Sequence, residues 1–129
     1  MARTAKVKWL NRHLLAGCGP YLCLVRSEPE WLRAFGDLGV PADAFPTTSG
    51  RCVSLISKKG DLACVVLLQN VDGRTPIEIA GLLVHEAVHV FQAYMDHIGE
   101  RAPGWETEAY MVQALSQRLM AAYCGLEHS

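Results

Sequence analysis

Apolar residues along the chain fall first into short runs and then into two long helical stripes, and that change of period predicts the order of elements. Residues 7–15 have the spacing of a first helix, closed by Gly17 and Gly19-Pro20. Tyr21 to Val25 is a strand-length apolar run. Ser27, with Glu30 three residues on, is an N-cap for a helix reaching Leu38, and Gly39, Pro41 and Pro46 mark the loop after it. Residues 52–57 and 62–69 are rich in Val, Leu and Ile and flank Lys58-Lys59-Gly60-Asp61, a β-hairpin pattern. Thr75-Pro76-Ile77-Glu78 combines a capping hydroxyl, a proline at the first helical position and a glutamate at the third, so a helix starts there and runs to Ile98. Gly99, Pro103 and Gly104 interrupt it, and a last helix covers residues 105–123 before Gly125. Two long helices after a small antiparallel or mixed sheet make an α+β fold.

The chain has 129 residues, with no internal repeat or linker, so residues 1–129 read as a single domain with one modest core. A net charge of −1 argues against a general nucleic-acid binder. The basic segment of residues 1–27, with Arg3, Lys6, Lys8, Arg12 and Arg26 and no acid, reads as a solvated first element rather than a transit peptide or a polyanion contact. No apolar run reaches the roughly 18 residues of a membrane span, and the start lacks the apolar core of a secretory signal. Five cysteines without any C-x-x-C spacing suggest buried thiols in a reducing, cytoplasmic setting. Pairing the hairpin around Lys59-Gly60 sets Cys64 opposite Leu55, out of register for a bridge to Cys52.

Within the first long helix stands His85-Glu86-Ala87-Val88-His89. At 3.6 residues per turn the two imidazoles differ by about 40° in azimuth and one turn in height, so both can reach one ion. Glu86 is adjacent, placed to accept a proton from a water acidified by zinc as that water attacks a carbonyl. The alternative is two helix histidines beside a surface carboxylate. The uncharged neighbours Leu83, Val84, Ala87, Val88, Val90 and Phe91 favour a dry helix on which buried histidines need partners. Gly81, one turn before His85, leaves room for a neighbouring element, either packing or functional.

A catalytic zinc site ordinarily has three protein ligands and a water, so a third donor is expected. Glu106 and Glu108 are the candidates, about 200° apart on the last helix. Stepping back along the apolar stripe of Leu119, Leu115 and Val112 lands on Glu108, which is therefore the core-facing acid. Glu106 shares its side with Tyr110, Gln113 and Gln117 and suits the first turn of a helix. His97 suits the helix C-terminus, His128 has no assigned role, and Gln92 is a candidate to orient a histidine.

His85-Glu86-Ala87-Val88-His89, eighteen residues, then Glu108 resembles the gluzincin branch of the zincin metallopeptidases. Trp105-Glu106-Thr107-Glu108 is also similar to the Trp-x-x-Glu of the M1 aminopeptidase family. From Val84 to Tyr123 the chain resembles short zincin-like proteins of tailed phages and prophages and, more faintly, short metallopeptidases that cleave prophage repressors. In the latter, the first acid of E-x-[EQ]-A would put the ligand at Glu106. The resemblance implies a minimal zincin-like fold that binds Zn2+ through His85, His89 and Glu108, with Glu86 as the catalytic base of a peptidase. The metzincin branch needs a glycine at Gln92 and a histidine at Met95, and has neither. Met111 and Val112 stand where larger gluzincins carry an orienting aspartate, and Tyr94, Tyr110 and Tyr123 are transition-state donors by residue type only. The expected partners are a protein or peptide substrate, with no nucleic acid or membrane, and a protein that completes the cleft of so small a domain. A catalytically inactive metal-binding module and a metal-free domain are the competing expectations.

Overall fold

The computed structural model describes residues 5 to 10 and 19 to 126. The element order is β1 (Tyr21–Val25), α1 (Glu28–Leu38), β2 (Gly50–Ile56), β3 (Leu62–Leu68), α2 (Pro76–Ile98) and α3 (Trp105–Cys124). The three strands form one mixed sheet in the order β1-β3-β2, with β1 parallel and β2 antiparallel to the centre. The fold is thus α+β with a small mixed sheet. No helix among the described residues is long and apolar enough to cross a membrane.

All seven residues of β3 are buried, as an unbroken apolar run requires when both faces are covered. On one face, Trp31, Phe35 and Leu38 of α1 pack over Cys23, Val25, Val65 and Leu67. On the other, Leu83, Val90 and Phe91 of α2 and Leu115 and Leu119 of α3 pack over Leu22, Cys64, Val66 and Leu68. Arg26 ties three elements at the end of β1. Its Nε donates to the Leu68 carbonyl at 2.8 Å, and its guanidinium lies 4.6 Å over the Tyr123 ring.

The helix signals act as the sequence predicts. Ser27 Oγ accepts from the Glu30 amide, and Thr75 and Glu78 form a reciprocal capping box at the start of α2. Two expectations fail. Residues 7–10 are not helical: Trp9 bridges Cys23, and the Leu10 amide donates to the Leu22 carbonyl at 2.8 Å. The Trp9 indole donates to Asp37 at 3.0 Å and its ring meets Tyr21 edge-on, so tertiary contacts override the helical spacing. The remainder of that expected helix, with Cys18 and His128, lies outside the described residues.

The hairpin register also differs by one, with Cys64 opposite Ser54 and not Leu55. Ser57 and Asp61 close the loop through Ser57 N to Asp61 O at 2.8 Å and Asp61 N to Ser57 Oγ at 3.2 Å. Three residues remain in the turn, and Gly60, at φ 92°, supplies the left-handed position that such a loop needs. The shift puts Cys52 and Cys64 on one face at diagonal positions, where both thiols are free. The neighbouring Cys64 thiol, with burial and the nearby Glu86 carboxylate, pushes the Cys52 thiol far above its ordinary range.

Candidate metal centre

The capping box and Pro76 fix where α2 begins, and its packing against the sheet and α3 decides which of its residues are exposed. Gly81, His85, His89 and Gln92 fall on its exposed side, while Leu83, Ala87, Val90 and Phe91 face the sheet. The histidines are therefore exposed, not embedded on a dry helix as their uncharged neighbours suggest. Glu86 is the buried one, at 3 % exposure.

His85 Nε2 and His89 Nε2 lie 3.2 Å apart. Two nitrogens about 2.0–2.1 Å from one tetrahedral zinc ion are separated by about 3.4 Å, so the pair has the spacing of two corners of such a site. His89 Nδ1 is 3.1 Å from Gln92 Oε1. With the amide oxygen accepting, that bond holds the proton on Nδ1 and leaves Nε2 as the acceptor of the 3.2 Å contact from His85, a lone pair that a cation between the two rings could take in place of that hydrogen bond. His85, Glu86 and His89 bring their donor atoms within 4.8 Å of one another, the only such metal-ligating group among the described residues.

Glu86 leans against the first residue of β2. A Cβ on Gly50 would sit 2.9 Å from Glu86 Oε2, so glycine there permits the carboxylate its place. Burial raises the Glu86 carboxyl above its ordinary range, and His85, His89 and Arg51 pull it back down. The donor set of two imidazoles beside a buried carboxylate suits zinc better than it suits an oxygen-seeking ion such as calcium or magnesium.

A groove follows the exposed side of α2. Its middle, about 560 Å³, is bounded by Arg51, Cys52 and Ser54 of β2 and by His85, Glu86, His89 and Gln92. Toward the start of α2 it continues into a hollow that includes Ser49, Arg74 and Gly81. Toward the end, Gln92 also borders a hollow containing Asp96, Arg101 and Glu108.

Glu108 is thus in the adjacent hollow, outside the histidine group, and it is exposed rather than core-facing. Residues 104 to 110 are all exposed, and burial on α3 begins only at Met111. The apolar stripe therefore cannot be extended back to Glu108, because the first turns of α3 have no packed neighbour to face. Glu106 is exposed as well. Tyr94 is buried in the core, Tyr123 lies under Arg26, and Tyr110 is 67 % exposed on α3, so none of the three borders the groove beside the histidines. His97 occupies the last turn of α2.

Sequence reasoning missed Gly50, Arg51 and Arg74. They come from loop and strand, and only the docking of β2 beside α2 makes them neighbours of Glu86. No family model matches the chain, and no curated protein or solved structure matches it.

Proposed function

We propose that the protein is a zinc-dependent peptidase of the zincin type, gluzincin-like, in which His85 and His89 hold the metal and Glu86 is the general base. The observation that carries this reading is the 3.2 Å approach of the two Nε2 atoms beside a buried carboxylate that no side chain or backbone group among the described residues hydrogen-bonds. Zinc at the histidine pair would polarise a carbonyl and acidify water. Glu86 takes the proton of the attacking water and returns it to the leaving amine. Gln92 keeps His89 in the tautomer that binds, and Gly50 keeps the Glu86 carboxylate close to the pair.

β2 is an edge strand, so one side of its backbone is free to take an extended peptide along the groove. An exposed segment of a protein is accordingly the substrate class, as in the resemblance to short phage and prophage zincins, and the free thiols suit a cytoplasmic setting. Glu108 would serve as third ligand only after the exposed first turns of α3 close over Gln92; otherwise the third donor is water or a group from a partner protein.

The test is metal content of untagged protein, together with cleavage of a peptide library by wild type and Glu86→Gln. Stoichiometric zinc and cuts that the variant does not make are expected. Zinc without any such cut sinks the peptidase reading. That result is the one expected of a second reading, favoured by the separation of Glu108 from the histidines: a metal-binding module that acts within a protein complex without catalysis. In that case Glu86→Gln keeps biological function and His89→Ala loses it.

A further inference from the structure

The hollow beside the histidines, on the side of the α2 N-terminus, has two features that a structural role leaves unexplained. The first is Gly81, in the interior of a helix, where glycine is less favourable than alanine by about 1 kcal/mol. A Cβ built on Gly81 meets nothing within 4 Å. No neighbouring element packs against it, so helix packing does not require the glycine; its absent side chain instead leaves the hollow open next to His85 and Glu86.

The second feature is Arg74. Its amide donates to Val71 O at 3.0 Å, its Nε to Asn70 O at 3.4 Å and its Nη2 to Ser49 Oγ at 3.0 Å. The guanidinium is held in place by neutral groups at the rim of the hollow and makes no salt bridge among the described residues. Two of its five N–H groups are used, and the others are available to a ligand. Glu78 borders the same hollow and feels the Arg74 charge, but its Oε1 accepts the Thr75 amide at 2.8 Å, which turns it to the helix cap and out of a direct ion pair with Arg74.

We propose that this hollow, between Gly50, Arg74, Gly81 and His85, is a subsite for a carboxylate-bearing residue of a bound extended peptide, and that Arg74 is the residue that selects it. A carboxylate can dock on a fixed guanidinium through two parallel hydrogen bonds, which a carboxamide of the same shape cannot match. The carboxylate can come from an Asp or Glu side chain or from a peptide's C-terminus. This rests on the peptidase reading for the course of the chain through the groove, but recognition by Arg74 is readable without catalysis.

The experiment uses the full chain as Glu86→Gln, loaded with zinc, and fluorescein-labelled heptapeptides of Ala, Val and Thr with amidated ends. A single Glu is walked through the positions, each peptide is compared with its Gln isostere, and a neutral peptide with a free C-terminus forms a third arm. At one position, or in the free-end arm, binding about tenfold or more tighter is expected, and that arm identifies the source of the carboxylate. Adding Arg74→Gln should bring each pair to within about twofold, with partial recovery in Arg74→Lys. Gly81→Leu should abolish binding while raising the melting midpoint, because leucine favours the helix as it fills the hollow. Equal binding of every acid and amide pair with no gain in the free-end arm, or a preference unchanged by Arg74→Gln, overturns the proposal. Wild-type cleavage of the same peptides is scored separately: an acid preference in binding without any cleavage overturns the peptidase reading and leaves the subsite standing.

Discussion

The centre of α2 and the first turns of α3 both carry acids, yet they end in opposite surroundings. Glu86 is buried against β2 with two imidazoles beside it, whereas Glu106 and Glu108 stand in solvent. The difference lies in what has to be known to place them. His85, Glu86 and His89 share one helix, so 3.6 residues per turn suffices to bring them together. Glu108 can join them only through the crossing of two helices and the length of the Gly99 to Gly104 connection, neither of which a periodicity contains. A spacing of eighteen residues is compatible with a ligand set and does not enforce one.

The comparison can be broken most forcefully at the base. On the proposed peptidase reading, Glu86→Gln is expected to lower hydrolysis by about 10²- to 10⁴-fold while zinc content stays stoichiometric, since the glutamine keeps the shape and loses the proton acceptor. Equal loss of metal in that variant would make Glu86 a ligand instead. Next, Gln92→Ala should weaken zinc binding by about 10- to 100-fold through loss of its bond to His89, as competition with a chelator would show. Glu108→Ala is expected to change zinc affinity by less than about tenfold and by less than either histidine substitution. A loss equal to that of His89→Ala would mean that α3 closes over the groove.

Smaller effects sharpen the contrast between site and scaffold. Gly50→Ala should push the Glu86 carboxylate aside and reduce turnover by about tenfold with bound zinc unaffected, the cost of a slightly displaced base. Thr75→Ala should cost about 1 kcal/mol in denaturant unfolding by removing one half of the α2 cap, with the metal retained. Its partner Glu78 has a carboxyl held below the ordinary range by hydrogen bonds from the Thr75 backbone and side chain. A lowered folded value stabilises the protein above the unfolded value, near 4.3, and that contribution disappears as pH falls through the folded one. Melting midpoints between pH 7 and pH 3 should therefore fall less steeply in Glu78→Gln than in wild type.

Much of the scaffold was legible because its signals are local. Thr75 and Glu78 start α2, Gly99 and Gly125 end the long helices, and the apolar run of β3 marks a strand covered on both faces. What escaped was set at a distance. Trp9 is extended because Asp37 and Tyr21 hold it, and the hairpin is one residue off because Ser57 and Asp61 pair across the turn. The burial of Glu86 and the exposure of its flanking histidines depend on which side of α2 meets the sheet. The apolar neighbours alone could not indicate that, since Val84 is itself 37 % exposed.

The central position of β3 has a consequence for how the molecule opens. Its amides are bonded to strands on both edges under two layers of side chains, so they should exchange with solvent only at the rate of global unfolding. The first turns of α3, uncovered on every side, should exchange through local fraying. Between those limits, Gly50 to Ser54 lie on an edge strand beside Glu86, where the amides not bonded to β3 should exchange more slowly once a ligand ties α2 to the strand. Hydrogen exchange along β2 is thus a clock for occupancy of the groove, with β3 and α3 as its slow and fast references in the same chain.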